Sequence, residues 1–303
     1  MGGIRSYFVN KFNLHISMNW KQYLSRPNKI QFINSSLYNA FDSGYCVTFS
    51  ALKVLECVFN YLIKEGLNTE WLKEKGYFND KGQIDFSPRF TGTMADTTIY
   101  GNTQWNVINC VIAYGLIPET MHPNKANSWA EYADEGKITK EMKALGVEFA
   151  KRFDIDAFDT SELNESPLQC FVRYAEGTGV LSPEGKYNHA VMIENETGTY
   201  LDISDSYWQE EKMYAKDKVF YLKGFKIKPK TMTQEEIKKF LEDNDKKWVR
   251  NSQNGSFGRI LQGKLMQIHS LDRGALALLD DKVREAGITI TNEQWYSLPL
   301  STF

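Results

Sequence analysis

Cysteine and histidine are scarce in this sequence, and their spacing excludes several kinds of site. The chain of 303 residues has four cysteines and four histidines. The cysteines stand at positions 46, 57, 110 and 170, with no CxxC pair and no Cys/His spacing typical of zinc. Their density is far below that of a disulfide-stapled secreted scaffold. We therefore expect no metal site, no disulfide framework and no bound cofactor.

Long apolar runs and an excess of one charge are also missing. The N-terminal stretch MGGIRSYFVNKFNLHISMNW lacks the apolar core and the cleavage site of a signal peptide. No run of about 18 apolar residues occurs, so we expect no membrane span. The 36 Lys and Arg residues nearly balance the 38 Asp and Glu residues, so no nucleic-acid partner is expected. These absences predict a cytoplasmic protein.

The composition predicts a globular protein with a sizeable core. Hydrophobic residues make up 42% of the chain and charged residues 24%. We predict three parts: an N-terminal arm over residues 1–30, a main domain over 31–230 and a C-terminal appendage over 231–303. Thr233 and Glu236 form a capping box that would begin a helix just after the second boundary.

Helical periodicity precedes strand patterns in the main domain, which is typical of an α+β fold. Helices are predicted over residues 46–65, 103–114, most of 124–165, 234–245 and 270–285, with a corner at 86–90 and a loop at 91–101. Strands are predicted over residues 168–174, 190–193, 199–203 and 219–227, and a hairpin over 257–268. Asn102 is the expected N-cap of the second helix.

One stretch, NAFDSGYCVTFSALKVLE, places Cys46 between a tight turn and a long apolar helix. Asp42, Ser43 and Gly44 favour the turn. The unpaired N–H groups and the positive dipole end at a helix start stabilise a thiolate, the nucleophilic form of cysteine. Cys46 is thus either an activated nucleophile or a buried cysteine that acts as a small hydrophobe.

A base for this nucleophile is predicted at His189, at the start of the strand HAVMIE. If the following hairpin turned near Glu196 and Thr197, His189 would face Ser204 and lie within reach of Asp205. An imidazole held by a carboxylate is the orienting part of a nucleophile–base–orienter triad. Taken singly, His189 is equally a strand-end histidine, and Asp205 a surface aspartate.

Five blocks of this sequence together resemble the papain-like cysteine peptidases. They are similar to the nucleophile helix, the corner after it, a glycine-led helix, the strand before the histidine, and the histidine strand with its Asn-Ser-Trp corner: GYCVTFSALKVLE, FSPRF, GNTQWNVINCVIAYGLIPETMHP, SPLQCFVRY and NHAVMIENETGTYLDISDSYW. The order Cys, His, orienting residue is also that of the family. The resemblance covers roughly residues 31–228 and none of the appendage.

This resemblance implies a papain-like fold. A helical subdomain would carry the Cys helix against an antiparallel β subdomain carrying His189 and Asp205, with a small α/β appendage after them. Cys46 would be the nucleophile, His189 the general base and acid, and Asp205 the orienting residue. Gly44, Tyr45 and Asn188 would line the cleft, and Tyr207 or Trp208 would cover the His189–Asp205 pair.

The sequence departs from the family pattern at three positions. Asp205 stands where Asn is usual, and Val47 stands where Trp is usual. Ala40 occupies the place of the oxyanion-hole Gln and cannot donate a hydrogen bond. We expect Asn39 to replace it, together with the backbone N–H of Cys46.

The leading functional hypothesis is a cysteine endopeptidase acting on a peptide or protein substrate. One alternative is a transglutaminase-like or amidase enzyme, which Asp205 favours. The other is a catalytically inactive papain-like module with a structural or binding role. The resemblance extends to proteins of tailed bacteriophages, so association with a virion through residues 231–303 is a further expectation. The lysine-rich segment 212–230 is either a basic surface for a polyanion or a solvated strand face.

Overall fold

A computed structural model describes residues 19–24, 32–33, 41–175, 180–181, 187–207, 211–230, 234–251, 257–267, 288–290 and 292–301. Within these ranges the chain combines helices with mainly antiparallel sheets, which confirms the predicted α+β class. The domain boundaries at residues 30 and 230 stay predictions.

The helices of the described residues lie mostly in the first half of the chain. They are α1 (Cys46–Lys64), α2 (Glu70–Glu74), α3 (Pro88–Met94), α4 (Gln104–Tyr114), α5 (Trp129–Tyr132), α6 (Lys140–Arg152), α7 (Gln234–Asp243) and α8 (Asn292–Ser297).

The strands form three sheets. They are β1 (Phe32–Ile33), β2 (Phe41–Asp42), β3 (Phe153–Asp159), β4 (Leu168–Ala175), β5 (Val180–Leu181), β6 (Tyr187–Thr197), β7 (Tyr200–Ser204), β8 (Glu211–Ala215), β9 (Phe220–Pro229), β10 (Trp248–Asn251), β11 (Phe257–Leu261), β12 (Lys264–Gln267), β13 (Ile288–Ile290) and β14 (Leu300–Ser301). The seven-stranded sheet has the order β3-β9-β4-β6-β7-β8, with β5 paired to β4. The five-stranded sheet has the order β13-β10-β11-β12-β14, and β1 pairs with β2.

Helix α1 is the centre of the larger core. Every residue from Cys46 to Phe59 is buried, and the helix packs against β4, β6 and β9. Its length and composition would allow it to cross a membrane. However, 78% of its most apolar 18-residue stretch is buried inside the protein, as in the core helix of a globular protein. Its two buried charged residues are partnered: Lys53 bonds Ser204, and Glu56 accepts the backbone N–H of Phe86. The predicted helix over 46–65 is thus confirmed.

The hairpin after His189 forms, but the predicted register is wrong. The turn lies at Gly198, whose φ is +64°, and not at Glu196–Thr197. A bulge between Ile193 and Asn195 shifts the register again. Ser204 therefore pairs with Met192 and not with His189. Glycine takes this left-handed conformation without steric cost, which explains where the chain turns.

Two further sequence predictions are corrected between residues 86 and 165. The predicted corner and loop contain helix α3, because Ser87 caps it by accepting the N–H of Phe90 and Pro88 is preorganised for the first turn. The predicted helical excursion ends at Arg152, and strand β3 follows it. The alternating sequence FDIDAFD carries the period-two pattern of a strand that pairs with β9.

Helix α4 begins one residue later than predicted. Its cap is Thr103, which accepts the N–H of Asn106, and not Asn102. Not all of its apolar residues are buried, because Trp105 is 62% and Ile112 50% exposed. The neighbouring apolar residues at 107, 108 and 111 face the core instead.

The lysine-rich strands carry ion pairs. Lys223 lies 2.6 Å from Asp159, Lys226 2.6 Å from Glu165, and Lys230 3.1 Å from Asp154. Because most of the partner carboxylates are exposed, these pairs contribute little stability. These pairs agree with a solvated strand face. They also neutralise part of the positive charge that a polyanion would bind.

The second sheet has a core of its own. Val249, Ile260 and Leu265 from the strands pack with Trp295 of α8 and Ile237 of α7. The predicted hairpin across Gln262–Gly263 is confirmed, as is the helix after residue 233. The capping residue Thr233 and the helix predicted over 270–285 lie outside the described residues.

Gly115 ends α4 at a point of close backbone contact. Its φ and ψ of 67° and −160° are a combination that only glycine adopts readily. A Cβ atom there would lie 1.8 Å from the carbonyl oxygen of Gly146 in α6. The approach of α4 to α6 therefore requires glycine at position 115.

We expect Gly115→Ala to lower the free energy of unfolding by about 3 kcal/mol or more, because backbone strain adds to overpacking. Gly82→Ala is the matched control, since Gly82 also has a positive φ of 72° but a methyl group added there would have nothing within 4 Å. That variant should lose only about 1 kcal/mol. Urea denaturation measures both, and equal losses would contradict the packing argument.

Candidate active site

The turn before Cys46 is fixed by side-chain and backbone contacts. Asp42 accepts the N–H of Gly44 at 2.8 Å through Oδ1. Gly44 has a φ of 71°, and a Cβ atom there would lie 2.9 Å from the carbonyl oxygen of Thr98. Trp129 donates its indole N–H to the carbonyl of Ser43 at 3.0 Å. Glycine at position 44 thus lets the loop pass close to its neighbour and deliver Cys46 to the helix start.

Cys46 is the first residue of α1. The preceding N-cap residue, Tyr45, makes no side-chain capping bond, so the backbone N–H groups of the first turn are not capped by their own N-cap side chain. Tyr45 is instead buried, and its hydroxyl lies 3.1 Å from that of Thr93. Cys46 therefore lies at the positive end of the helix dipole.

Hydrogen bonds anchor this first helical turn to strand β4. Gln169 donates its amide to the carbonyl of Val47 and to the hydroxyl of Ser50, at 2.8 Å each. Ser50 in turn donates to the carbonyl of Cys46 at 2.8 Å. The cysteine backbone is therefore held to the same sheet that carries His189.

His189 and Asp205 form a buried pair. The distance from Nε2 of His189 to Oδ1 of Asp205 is 2.7 Å, and their side chains are 1% and 0% exposed. The other ring nitrogen, Nδ1, makes no regular hydrogen bond with the described residues. It is the nitrogen left for the Cys46 side chain, whose interaction with the ring raises the pKa of His189.

Asp205 has donors on both carboxylate oxygens. Besides His189, Oδ1 accepts the backbone N–H of Tyr207 at 3.0 Å. The other oxygen, Oδ2, accepts from Nζ of Lys212 at 2.8 Å. Lys53 of α1 donates to the backbone carbonyl of Asp205 at 2.9 Å. The carboxylate is thus fully enclosed and oriented towards the imidazole.

The two pKa values follow from burial and pairing. Burial lowers the pKa of His189, but the bond to Asp205 and the interactions with Cys46 outweigh it and raise the pKa to about 9. Burial raises the pKa of Asp205, but the bond and charge of His189, then the bonds from Lys212 and the Tyr207 N–H, bring it well below its usual range. At neutral pH the pair is therefore an imidazolium and a carboxylate.

Aromatic rings cover this pair. The ring of Tyr207 stacks on that of His189 with centroids 4.5 Å apart, and Tyr174 lies 4.9 Å from His189. The Tyr207 hydroxyl donates to Oδ2 of Asp42 at 2.7 Å. Tyr207 therefore links the histidine to the turn that precedes Cys46, and it occupies the covering position that the sequence assigned to Tyr207 or Trp208.

The structure brings most, but not all, of the predicted residues to this site. Cys46, His189 and Asp205 come together, with Gly44 and Tyr45 in the turn before the cysteine. Asn188 is exposed. Its side chain bonds the backbone N–H and C=O of Tyr174, at 2.8 and 3.0 Å, and not the side chains of Cys46, His189 or Asp205. Asn39 and Trp208 lie outside the described residues.

Four residues around the site were missed from the sequence: Asp42, Lys53, Tyr174 and Lys212. Asp42 was interpreted only as a turn residue, and Lys212 only as part of a lysine-rich strand. The signal available for Lys53 was its position inside an apolar helix, where a charged residue needs a partner. Tyr174 carried no signal that distinguishes it from any strand aromatic.

No protein-family model matches the chain, and no match is found among curated proteins. Among the described residues, no group of three or more His, Cys, Asp or Glu side chains is arranged to hold a metal ion.

The raised pKa of His189 predicts that stability depends on pH. Because the folded pKa of about 9 exceeds the unfolded value of about 6.5, the contribution is fully present below pH 6.5 and is lost as the pH rises through 9. We expect the wild-type free energy of unfolding to fall by roughly 3 kcal/mol over this range. Urea denaturation at successive pH values measures it.

His189→Gln should remove most of this pH dependence, since glutamine does not titrate. His122→Gln is the control: burial lowers the pKa of His122 to about 4, so this histidine does not titrate between pH 6.5 and 9. It should keep the wild-type profile. A His189→Gln variant with an unchanged profile would contradict the assigned imidazolium–carboxylate pair.

Proposed function

We propose that the protein is a papain-like cysteine peptidase that hydrolyses peptide bonds. The single observation that carries the proposal is the arrangement around His189. One ring nitrogen bonds Asp205 at 2.7 Å, and the side chain of Cys46, at the start of a buried helix, interacts with the ring. This is the order of contacts that a nucleophile, a base and an orienting residue require.

The fold supports the same proposal. Helix α1 carries Cys46 and packs against the antiparallel strands β4, β6 and β9, and β6 carries His189. Nucleophile and base thus come from a helix and a sheet that pack together, as the sequence resemblance implies. A family assignment rests on this arrangement and on the five sequence blocks.

The proposed reaction begins with the Cys46 thiolate. Its sulfur attacks the carbonyl carbon of the scissile peptide bond, and the His189 imidazolium gives its proton to the departing amine nitrogen. This leaves a thioester and a neutral imidazole. His189 then takes a proton from water, whose oxygen attacks the thioester, and the acid product leaves as the thiolate–imidazolium pair is restored.

Asp205 would act on this cycle through orientation and charge. Its bond to Nε2 directs Nδ1 towards the cysteine, and its carboxylate stabilises the imidazolium. The oxyanion formed by the carbonyl would be stabilised by backbone N–H groups at the start of α1, including that of Cys46. Asn39 as a second donor stays a prediction.

Two other functions inferred from the sequence are separable by experiment. A transglutaminase-like or amidase enzyme would use the same thioester but accept an added amine or a non-peptide amide. An inactive module would keep the fold without turnover. Three expectations stay predictions: association with a virion, a bacteriophage origin and a cytoplasmic location. Assembly into a larger particle through residues 231–303 is proposed from the sequence resemblance alone.

A thiol-directed alkylating agent at neutral pH should label Cys46 selectively. Cys46 is 8% exposed, whereas Cys57, Cys110 and Cys170 are at most 4% exposed, and burial raises the pKa of Cys110 to about 12. We expect one rapidly alkylated site and at least a tenfold slower reaction in His189→Ala, because the thiolate loses its partner. Peptide mapping by mass spectrometry identifies the site.

Cys110→Ser is the control and should leave the rapid labelling unchanged. Incubation with a fluorogenic peptide library, with and without an added primary amine, then separates hydrolysis from amine transfer. Equal and slow alkylation of all four cysteines would refute the nucleophile–base pair. Rapid, His189-dependent alkylation without turnover of any peptide would favour the inactive or amidase alternatives.

A further inference from the structure

The carboxylate of Asp205 lies between two cations. His189 bonds Oδ1 at 2.7 Å, and Nζ of Lys212 bonds Oδ2 at 2.8 Å. The Lys212 side chain is only 18% exposed, and that of Asp205 is fully buried. The arrangement is therefore a chain of four groups, from Cys46 through His189 and Asp205 to Lys212, in place of a triad.

Strand pairing fixes the position of Lys212. Strand β8 pairs with β7 so that Lys212 lies opposite Ile203, two residues before Asp205. Its ammonium group also lies 5.9 Å from the centroid of Tyr174, one of the rings beside His189. A lysine held by a sheet register and an adjacent ring is placed by the fold, whereas an exposed lysine adopts many positions.

We propose that Lys212 is a positioning residue that balances the charge of Asp205 and thereby limits how strongly this carboxylate holds the proton on His189. The inference rests on the proposed function for its catalytic meaning, but the electrostatic effect does not depend on it. A lone carboxylate would favour the imidazolium strongly. With Lys212 bound, the orienting unit is a neutral ion pair and acts on the ring more as a carboxamide would.

The charges at the site support this role. The His189 imidazolium and the Lys212 ammonium bond opposite oxygens of one buried carboxylate, so Lys212 balances the charge of Asp205 that His189 would otherwise face alone. Without that cation, Nδ1 of His189 would give up its proton less readily to a leaving amine. A general acid works best when its pKa lies near the working pH.

Other charged or titratable groups face the pair and must be held constant in any test. They are Cys46 and Lys53 of α1, Asp42 of β2, Tyr174 of β4 and Tyr207 after β7. Lys53 contacts the backbone carbonyl of Asp205 and not its carboxylate, so it does not replace Lys212. A neutral residue at position 212 therefore removes the cation that is bound to Oδ2 of Asp205.

Histidine-selective NMR of the full chain tests the proposal, with the His189 signal assigned by its absence in His189→Gln. Lys212→Met should raise the pKa of His189 by about one unit, because the cation bound to the other oxygen of the same carboxylate is lost. Lys212→Gln keeps a donor for Oδ2 without the charge and should shift it equally. Lys212→Arg restores the charge and should keep the wild-type pKa.

Lys223→Met is the matched control. Lys223 is 19% exposed, almost as buried as Lys212, but its partner Asp159 is 84% exposed and lies outside the site. It should leave the His189 titration unchanged. If Lys212→Met does not fold, as judged by near-ultraviolet circular dichroism, Lys212→Gln carries the test.

An unchanged or lowered pKa of His189 in the neutral Lys212 variants would overturn the proposal. The titration requires no reaction of Cys46, so its failure is distinct from a failure of the peptidase function. If the pKa of His189 rises in the neutral Lys212 variants but Cys46 is unreactive, the electrostatic role of Lys212 stands. Its role in catalysis is then refuted together with the peptidase function. If peptides are hydrolysed, the upper pH limb of kcat/KM should move in parallel with the titration.

Discussion

The buried carboxylate of Asp205 constrains the geometry of the whole site. An unpaired charge in the interior costs several kcal/mol, so the fold must supply donors to both oxygens. It does so from separate segments: His189 on β6, the N–H of Tyr207 after β7, and Lys212 on β8. Each donor depends on the pairing of neighbouring strands. The carboxylate therefore couples the register of three strands to the orientation of one imidazole.

The cysteine side of the site depends on a different constraint, which is close backbone packing at the start of α1. Gly44 allows the turn to pass the carbonyl of Thr98, and Gln169 ties the first helical turn to β4. The two halves meet at Tyr207, which stacks on His189 and bonds Asp42 in the turn. These contacts join the turn, the first turn of α1 and the sheet, so they fix the position of Cys46 relative to His189.

Residue chemistry and local periodicity predicted more of this structure than register did. Helix α1, strand β4 and the hairpin of β6 and β7 followed from turn residues and apolar spacing. The pairing of the hairpin did not, because a glycine at position 198 and a bulge near Asn195 move the turn away from the residues chosen for it. Strand β3 was missed because alternation over seven residues was outweighed by the charged helix before it. Lys212 could not be found at all, since its role exists only through pairing with β7.

The pairing of His189, Asp205 and Lys212 does not by itself show that this network stabilises the fold. A buried network of charges is weak evidence of stabilisation, because apolar side chains of similar volume are often equally stable or more so. Burial of His189, Asp205 and most of Lys212 carries a desolvation cost, which their pairing with one another offsets. His189 is the member of this network that interacts with the thiol of Cys46, so Asp205 and Lys212 are connected to the cysteine through one imidazole.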